Sequence, residues 1–465
     1  MSERILSGIT MFKDKESLFH LKGDILEVIP FDQSIEIKEG EKYICSSDFN
    51  KEDVPTIIKG RLLTDNSRSA LFFIRSLVGR SILFNCKYRF KVDKYIVATD
   101  AELAVDGITI YGEELNWFYN IRKAYNWSFV DGTGEANVEL KEFDKVNEIF
   151  EFYVNGELIK GSLDVSRNLA NMSTTPISLR TALNLRFNVS NDIEFINKLV
   201  WIVKNVLSIL SYRNNIDMDE IELKRIYEGE KYIKWGNLYL LDNKKTFSEE
   251  ETYIRERIID FDIIKNNVSN LFQIISDGVV YTDHIPHSSV DRVFTPARFV
   301  MITAAFEWEF RHIYGELSTE ESEARKDARK ELNEFLDKKI SASTKKKKKY
   351  FKSYKKFLNN SDMSLSEKIE RVLEEKNDIL NIFIKPLFEL NGIEDWKYKD
   401  IAKRLQIQRN NYAHGNIDKD IDGLVILDLF ILEWAIYALI LNEVKLSDED
   451  IKRAINKLFK RNVVL

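Results

Sequence analysis

Near the C-terminal end of the sequence, an arginine and a histidine, Arg409 and His414, stand five positions apart. Arginine carries a permanent positive charge, whereas histidine titrates near neutral pH and can accept or donate a proton. The pair suits phosphodiester chemistry, in which the guanidinium binds the phosphate and stabilises the transition state while the imidazole transfers a proton. Such a reaction requires no metal ion or cofactor, and none is predicted.

The element that must position Arg409 is a helix predicted over residues 396–409. Ile401, Leu405 and Arg409 are spaced i, i+4 and i+8, which places the guanidinium on the stripe that should be buried. A solvated arginine would sit more comfortably on another face. The spacing therefore favours a functional role over a surface charge.

The predicted end of this helix decides whether His414 can reach Arg409. Asn410 and Asn411 are poor helix formers, and Gly415 is a residue favoured just after a helix end, so we expect the helix to fray between them. On an ideal helix, side chains five positions apart diverge by about 140°. Fraying would bring His414 back beside Arg409.

The residues Arg409, Asn410 and His414, at a helix end in a C-terminal all-helical segment, resemble the R-x4-H motif of the HEPN superfamily of ribonucleases. A β-rich half before that segment is similar to the layout of the ApeA-like HEPN proteins of bacterial anti-phage defence. The resemblance implies a metal-independent endoribonuclease acting in abortive infection, whose products carry a 2′,3′-cyclic phosphate and a 5′-hydroxyl.

The resemblance also implies a homodimer with a composite active site, because HEPN nucleases place their motifs face to face across a dimer interface. Asn410 matches the family's frequent Arg-Asn pair and would orient the phosphate or the histidine; the alternative is a simple helix terminator. For Arg409 and His414 themselves, the alternative is a structural role. The protein would then be a non-catalytic nucleotide- or protein-binding dimerisation module.

A supporting carboxylate is predicted on an earlier helix, over residues 296–314. Glu309 lies on the apolar stripe with Ile302 and Phe306, whereas Glu307 points away from it. A buried carboxylate needs a partner, and an acidic residue on an earlier helix often supports the motif in HEPN domains. The resemblance therefore implies that Glu309 supports the motif; an ion pair with another basic residue is the alternative.

A second region that could contact RNA is a lysine-rich stretch interleaved with aromatic residues. Lysines neutralise phosphates and aromatic rings stack on bases, so the stretch is a candidate RNA-binding surface. The alternative is a solvated helix face or a mobile loop. The candidate lysines are Lys345, Lys346, Lys347, Lys348, Lys349 and Lys352.

Composition limits the other possibilities. The formal net charge of -6 excludes a general polyanion binder, so any RNA contact must use a local basic surface. Cys45 and Cys86 lie in alternating apolar segments, which favours two buried thiols in a reducing compartment. Residues 1–20 carry charges throughout and lack the apolar region of a signal peptide, so we expect a cytoplasmic protein.

The longest apolar run, over residues 424–441, contains Asp428 and Glu433. Both charges would be costly in a lipid bilayer, so a central bundle helix or a subunit interface is predicted rather than a membrane span. Two metal-site patterns are also present. The stretch Glu222-Leu223-Lys224 is too common a tripeptide to indicate a metal-dependent nuclease, and the pair His284 and His287 is predicted to be an exposed loop without a metal.

The order of the elements predicts an α+β protein in two parts. Residues 25–187 alternate with a period of two, with tight turns predicted at Asp106-Gly107, Asp131-Gly132 and Asn155-Gly156, which is typical of an antiparallel sandwich or barrel. A helix over 193–211 and two further strands follow. Helical periodicity then continues to the C-terminus, in helices predicted at 249–275, 296–314, 320–336, 366–380, 396–409 and 421–444, plus a short terminal one.

We therefore predict a β-rich sensing or regulatory domain at residues 1–245 and a HEPN helical ribonuclease domain at 246–465. An unknown phage-derived trigger would act on the first domain. RNA is the expected partner, with tRNA and mRNA both open as substrates, and no membrane partner is expected.

Overall fold

The computed structural model describes residues 5–32, 54–81, 87–129, 134–142, 147–169, 174, 177–218, 220–227, 231–241, 247–315, 323–359, 363–416 and 423–464. The chain divides into two compact units, Met1–Phe261 and Asp262–Leu465, so the division falls beyond the boundary expected at residue 245. The first unit is built on antiparallel strands and the second is helical, which confirms the predicted α+β class. Cys45, Cys86 and the expected turn at 131–132 lie outside the described residues.

The strands of the first unit all pair antiparallel. Within the described residues they are β1 Leu6–Phe12, β2 Lys15–Lys22, β3 Ile25–Pro30, β4 Ile57–Leu62, β5 Ser69–Ser81, β6 Lys87–Ala98, β7 Val105–Tyr111, β8 Tyr125–Phe129, β9 Ala136–Leu140, β10 Glu148–Val154, β11 Glu157–Leu169, β12 Ile177–Ser190, β13 Glu220–Tyr227 and β14 Lys231–Leu240.

The strands β1 to β6 close into a barrel. Their order is β6-β3-β2-β1-β4-β5, and β5 pairs again with β6, so the ring has no free edge. Alternate side chains fill the interior, where Phe19 and Phe72 make an edge-to-face contact with ring centroids 5.0 Å apart. The barrel alternative of the predicted sandwich or barrel is therefore the observed one in this part of the chain.

The strand β6 also begins an open sheet, in the order β6-β14-β13-β7-β12-β11-β10. One face carries apolar side chains such as Ile108, Leu183 and Leu185, which are buried. The helix α2, Ile193–Ser211, lies against this face, with the Phe195 ring 5.4 Å from Phe187. The opposite face of the same sheet carries polar side chains.

Two of the predicted turns are described. Asn155 and Gly156 have φ values of 52° and 84° and connect the paired residues Val154 and Glu157, as predicted for a type I′ hairpin. The turn predicted at Asp106-Gly107 is wrong, because both residues lie inside β7. Gly107 instead leaves space for the Tyr232 ring, because a Cβ at this position would lie 3.3 Å from Cε1 of that ring.

The helices within the described residues are α1 Glu113–Phe118, α2, α3 Glu251–Glu256, α4 Phe261–Ile264, α5 Val268–Ser276, α6 Pro296–Tyr314, α7 Glu323–Ala342, α8 Lys345–Asn359, α9 Leu365–Glu375, α10 Asn377–Leu390, α11 Tyr398–Ala413, α12 Gly423–Glu443 and α13 Asp448–Leu458. The single helix predicted over 249–275 is wrong. Its backbone is interrupted where the Ile259 N–H donates to the Leu210 carbonyl (2.9 Å) instead of continuing the helical ladder.

The helix α12 is the core of the second unit. Two of its three charged residues, Asp428 and Glu433, are buried and paired. Asp428 accepts two hydrogen bonds from Arg404 (2.6 and 2.8 Å), and Glu433 accepts one from Arg298 (2.5 Å). In the part of the chain that the structure describes, α12 is the one helix long and apolar enough to cross a membrane, but 78% of its apolar window is buried inside the unit. It is therefore a bundle helix, as predicted.

Candidate active site at the end of helix α11

The helix α11 ends in a well-formed cap. Gly415 has φ +81°, its N–H donates to the Tyr412 carbonyl (3.1 Å), and the Asn416 N–H donates to the Asn411 carbonyl (2.9 Å). This is the Schellman arrangement, in which the residue after His414 adopts the left-handed conformation. The fraying expected at the two asparagines is therefore wrong, because the satisfied carbonyls outweigh their weak helix propensity.

The unbroken helix keeps Arg409 and His414 on different sides of α11. On an ideal helix, positions i and i+5 point about 140° apart, and α11 is helical through Ala413. His414 is exposed at the C-cap position. Among the described residues, no hydrogen bond joins the two side chains.

The Arg409 guanidinium is partly accessible, with 37% of the side chain exposed, while its helical neighbours Ile401 and Leu405 are fully buried. Its Nη2 lies 3.5 Å from Oε2 of Glu307, and its Nη1 donates to Oδ1 of Asn410 at 3.4 Å. Both contacts are long, so they orient the guanidinium without occupying its full donor set. Asn410 thus lies against the arginine of the motif.

The carboxylate beside Arg409 is Glu307, on α6. Its other oxygen, Oε1, lies 3.9 Å from the Lys368 ammonium of α9, so Glu307 stands between two cations. Glu307, which was predicted to lie off the apolar stripe, is therefore the α6 carboxylate beside Arg409, in the place proposed for Glu309. The buried residues of α6 form one broad face, and Glu307 lies at its edge, one turn from the buried Thr303 and Phe310. That position at the edge of the buried face is the signal in the sequence that could have identified it.

Glu309 lies elsewhere in the bundle and is fully buried. It accepts a hydrogen bond from the backbone N–H of Tyr281 (2.9 Å), and among the described residues it contacts neither Arg409 nor His414. Burial raises the pKa of Glu309 to about 7, and the nearby charge of Glu443 adds to this effect. The structure therefore does not bring Glu309 together with the motif residues.

Two contacts fix α11 against its neighbours. The Tyr412 ring packs edge-to-face on Phe299 of α6, with centroids 5.6 Å apart, and Arg404 makes the bidentate pair with Asp428 of α12. Charge-assisted bidentate pairs hold a side chain in a defined geometry. The segment that carries Arg409 and His414 is thus held against α6 and α12.

The lysine-rich stretch forms the start of helix α8. Lys346, Lys347, Lys348, Lys349 and Lys352 are exposed, and the Lys345 side chain falls outside the described part. The helix pairs with α7 through Lys355 and Asp337 (2.5 Å). Lysines at a helix N-terminus are repelled by the positive end of the helix dipole, so a bound anion would stabilise this arrangement. Tyr350 and Tyr354 are exposed on the same helix.

No group of three or more His, Cys, Asp or Glu residues is positioned to hold a metal ion in the described ranges. The expectation that His284 is exposed is wrong, because it is 2% exposed and its Nδ1 lies 2.8 Å from the Tyr281 carbonyl. Burial lowers the pKa of His284 to about 4, so the side chain is neutral at physiological pH. His287 is exposed, as expected.

Comparison with known proteins identifies this region. Residues 300–450 match the family model described as Apea-like HEPN. The matched segment runs from α6 into α13 and contains Arg409 and His414. No curated protein and no solved structure gives a significant match to the chain.

Proposed function

We propose that the chain is an endoribonuclease of anti-phage defence, because its residues 300–450 match the Apea-like HEPN family, a nuclease-like or defence module. The observation that carries this proposal is the position of Arg409 and His414. Both are accessible to solvent at the end of α11, inside the matched segment.

In the proposed reaction, the imidazole of His414 accepts the proton of a ribose 2′-hydroxyl, and the 2′ oxygen attacks the adjacent phosphorus. The bond to the 5′ oxygen breaks, and that oxygen takes up a proton as it leaves. The Arg409 guanidinium binds the non-bridging oxygens and stabilises the extra negative charge of the transition state. The products carry a 2′,3′-cyclic phosphate and a 5′-hydroxyl, and the step requires no metal ion.

A homodimer would complete the site. Because Arg409 and His414 diverge on one helix, a twofold axis that brings two α11 ends together would supply an arginine from one chain and a histidine from the other. Asn410, in contact with Arg409, would orient the guanidinium or the phosphate. Glu307 is proposed as a positioning residue, since its 3.5 Å contact holds Arg409 until a phosphate replaces it.

The lysines at the start of α8 are proposed to bind the RNA backbone, since a protein of net charge -6 needs a local basic surface for that purpose. A phage-derived trigger is proposed to act on the first unit. The proposed location is the cytoplasm, where both tRNA and mRNA are available as substrates.

The test is RNA cleavage in EDTA by purified variants. Arg409→Ala and His414→Ala should each lower the rate by about 100-fold or more, the usual cost of losing a phosphate-binding or proton-transfer group. Arg453→Ala and His287→Ala are matched controls, because they remove the same groups from exposed positions outside the motif. The controls should cleave at the wild-type rate, and all four variants should keep the wild-type melting temperature and oligomeric mass.

Wild-type activity in both motif variants would contradict the proposal. Full activity of a monomer at high dilution would contradict the composite site. A second candidate function, a non-catalytic nucleotide- or protein-binding dimerisation module, is favoured by the lack of a hydrogen bond between Arg409 and His414 within the described chain. Under that alternative the wild type shows no cleavage in EDTA, and Arg409→Ala and His414→Ala lower the melting temperature or dissociate the dimer.

A further inference from the structure

The polar face of the open sheet in the first unit contains a cavity that the proposed nuclease does not use. Its volume is about 460 Å³, within the range of small-molecule sites. It lies over β7, β11, β12 and β13, on the face opposite α2. The lining side chains that matter most are Thr109, Asp164, Asn184, Arg186, Lys224 and Tyr232.

The floor of the cavity is an ordered hydrogen-bond network. Thr109 Oγ1 donates to Oδ1 of Asn184 (2.5 Å), and Asn184 Nδ2 donates to Oδ2 of Asp164 (2.7 Å) and to Oγ of Ser162 (3.3 Å). These bonds cross three neighbouring strands and fix the orientation of the amide. A network fixed before a ligand arrives lowers the entropic cost of binding.

Positive charge dominates the lining. Arg167, Arg186 and Lys224 are cationic, and Asp164 is the one carboxylate among the described lining residues. Glu222, beside the cavity, forms ion pairs with two lysines. Its carboxylate lies 4.0 Å from the Lys224 ammonium and 2.8 Å from the Lys234 ammonium. Burial lowers the pKa of Lys224 and raises that of Asp164, which shows that both groups are partly removed from water. This excess of positive charge, on the half-buried Arg167 and Lys224 and the exposed Arg186, is complementary to an anionic ligand.

One wall of the cavity is built to hold an arginine in place. The Tyr232 ring lies over Gly107, where a Cβ would be 3.3 Å from the ring, and the Arg186 guanidinium stacks 4.4 Å from the ring centroid. Stacking orients the guanidinium plane and leaves its N–H edge available. That edge matches two oxygens of a phosphate.

We propose that this cavity binds a small phosphorylated molecule the size of a mononucleotide, with Arg186 and Lys224 on the phosphate and the Asn184-Asp164 network on the rest of the ligand. The small volume, about 460 Å³, favours a small molecule over an RNA strand. The charge favours a phosphate, and the mixed donors and acceptors favour a polar ligand such as a nucleoside monophosphate. This site is separate from the proposed nuclease motif, so its test is independent of RNA cleavage.

The experiment is isothermal titration calorimetry of the full chain with AMP, GMP, UMP and CMP, and with inorganic phosphate and the four nucleosides as separate probes. At least one monophosphate should bind with one site per chain, and inorganic phosphate and the matching nucleoside should each bind at least about tenfold more weakly. Lys224→Met and Arg186→Met should each weaken binding by about tenfold or more, because each removes one phosphate contact. Lys91→Met, which removes the same charge from the exposed surface of β6, is the control and should bind as the wild type does.

Several results would overturn the proposal. The first is that no monophosphate binds, and the second is that the wild type and both cavity variants bind equally. The proposal also fails if a nucleoside or inorganic phosphate binds as tightly as the nucleotide. It fails, too, if single-stranded RNA displaces every monophosphate at lower concentration. Arg186 is exposed, so Arg186→Met provides a folded variant even if Lys224→Met lowers the melting temperature.

Discussion

The substitution Glu309→Gln tests whether a buried carboxyl in the second unit makes stability depend on pH. Glu309 is fully buried and accepts one hydrogen bond, from the Tyr281 N–H at 2.9 Å, and burial raises its pKa from 4.5 to about 7. Glutamine has nearly the same shape, keeps the acceptor for Tyr281 and never ionises. The variant therefore isolates the cost of the buried charge.

The direction of the effect follows from the two pKa values. Below about pH 4.5 the carboxyl is protonated in both states, so its ionisation costs nothing. Between about pH 4.5 and 7 the unfolded chain ionises while the folded chain keeps its proton, so the folded state loses stability with each unit of pH. Each unit corresponds to about 1.4 kcal/mol, and the full penalty above pH 7 is roughly 3 kcal/mol.

The assay is urea unfolding followed by circular dichroism at about pH 4, 6 and 8. Glu309→Gln should match the wild type near pH 4 and exceed its free energy of unfolding by roughly 3 kcal/mol near pH 8. Glu389→Gln, at an exposed position of α10, is the control and should show no such trend. A Glu309→Gln difference that is constant with pH, or that grows towards low pH, would refute the assignment of a raised pKa.

Three further predictions concern the base of the site and the RNA surface. Arg404→Ala leaves the buried charge of Asp428 without its bidentate partner and should lower the free energy of unfolding by roughly 3 kcal/mol, measured in urea; an unchanged value would mean that the pair does not hold α11. Gly415→Ala should cost about 1 kcal/mol in the same assay, because φ is +81° while no atom lies within 4 Å of the new Cβ; no loss would contradict the left-handed cap. Replacing the four lysines 346–349 by glutamine should reduce the salt slope of single-stranded RNA binding by about 0.7 per lost phosphate contact; an unchanged slope would exclude them from the RNA-binding surface.

Local signals in the sequence were sufficient for several elements. The helix α2 has the predicted bounds, Ile193–Ser211, because its apolar period and the Asp192 cap are contained in the segment itself. The helix α6 has the predicted bounds, Pro296–Tyr314, and the side chain of Thr295 before it accepts a hydrogen bond from the Arg298 N–H. The hairpin at Asn155-Gly156 forms because both turn residues tolerate positive φ.

Other features depend on contacts between distant parts of the chain. The barrel closes because β5 pairs with β6, and the Tyr232 ring packs over Gly107. Neither contact can be predicted from the hydrophobic periodicity of one segment. His284 lies in a polar segment but is buried, and its Nδ1 is satisfied by the Tyr281 carbonyl.

In the candidate site, too, some features follow from local sequence and others from contacts between distant residues. Arg409 and His414 were proposed from residue type and spacing, and both lie within residues 300–450, which match the Apea-like HEPN family. Their role stays a prediction. The neighbouring carboxylate was misassigned because the apolar stripe shows which residues are buried but not which helix they face. Glu309 is buried beside Tyr281, whereas Glu307, at the edge of the buried face of α6, lies beside Arg409.

The measurement that most directly tests the proposed chemistry is end-group analysis of RNA cleaved by the full chain in EDTA. We predict fragments with a 2′,3′-cyclic phosphate on one side of the cut and a 5′-hydroxyl on the other, formed by the wild type and absent with His414→Ala. Fragments with a 5′-phosphate and a 3′-hydroxyl, or the same fragments from His414→Ala, would contradict it.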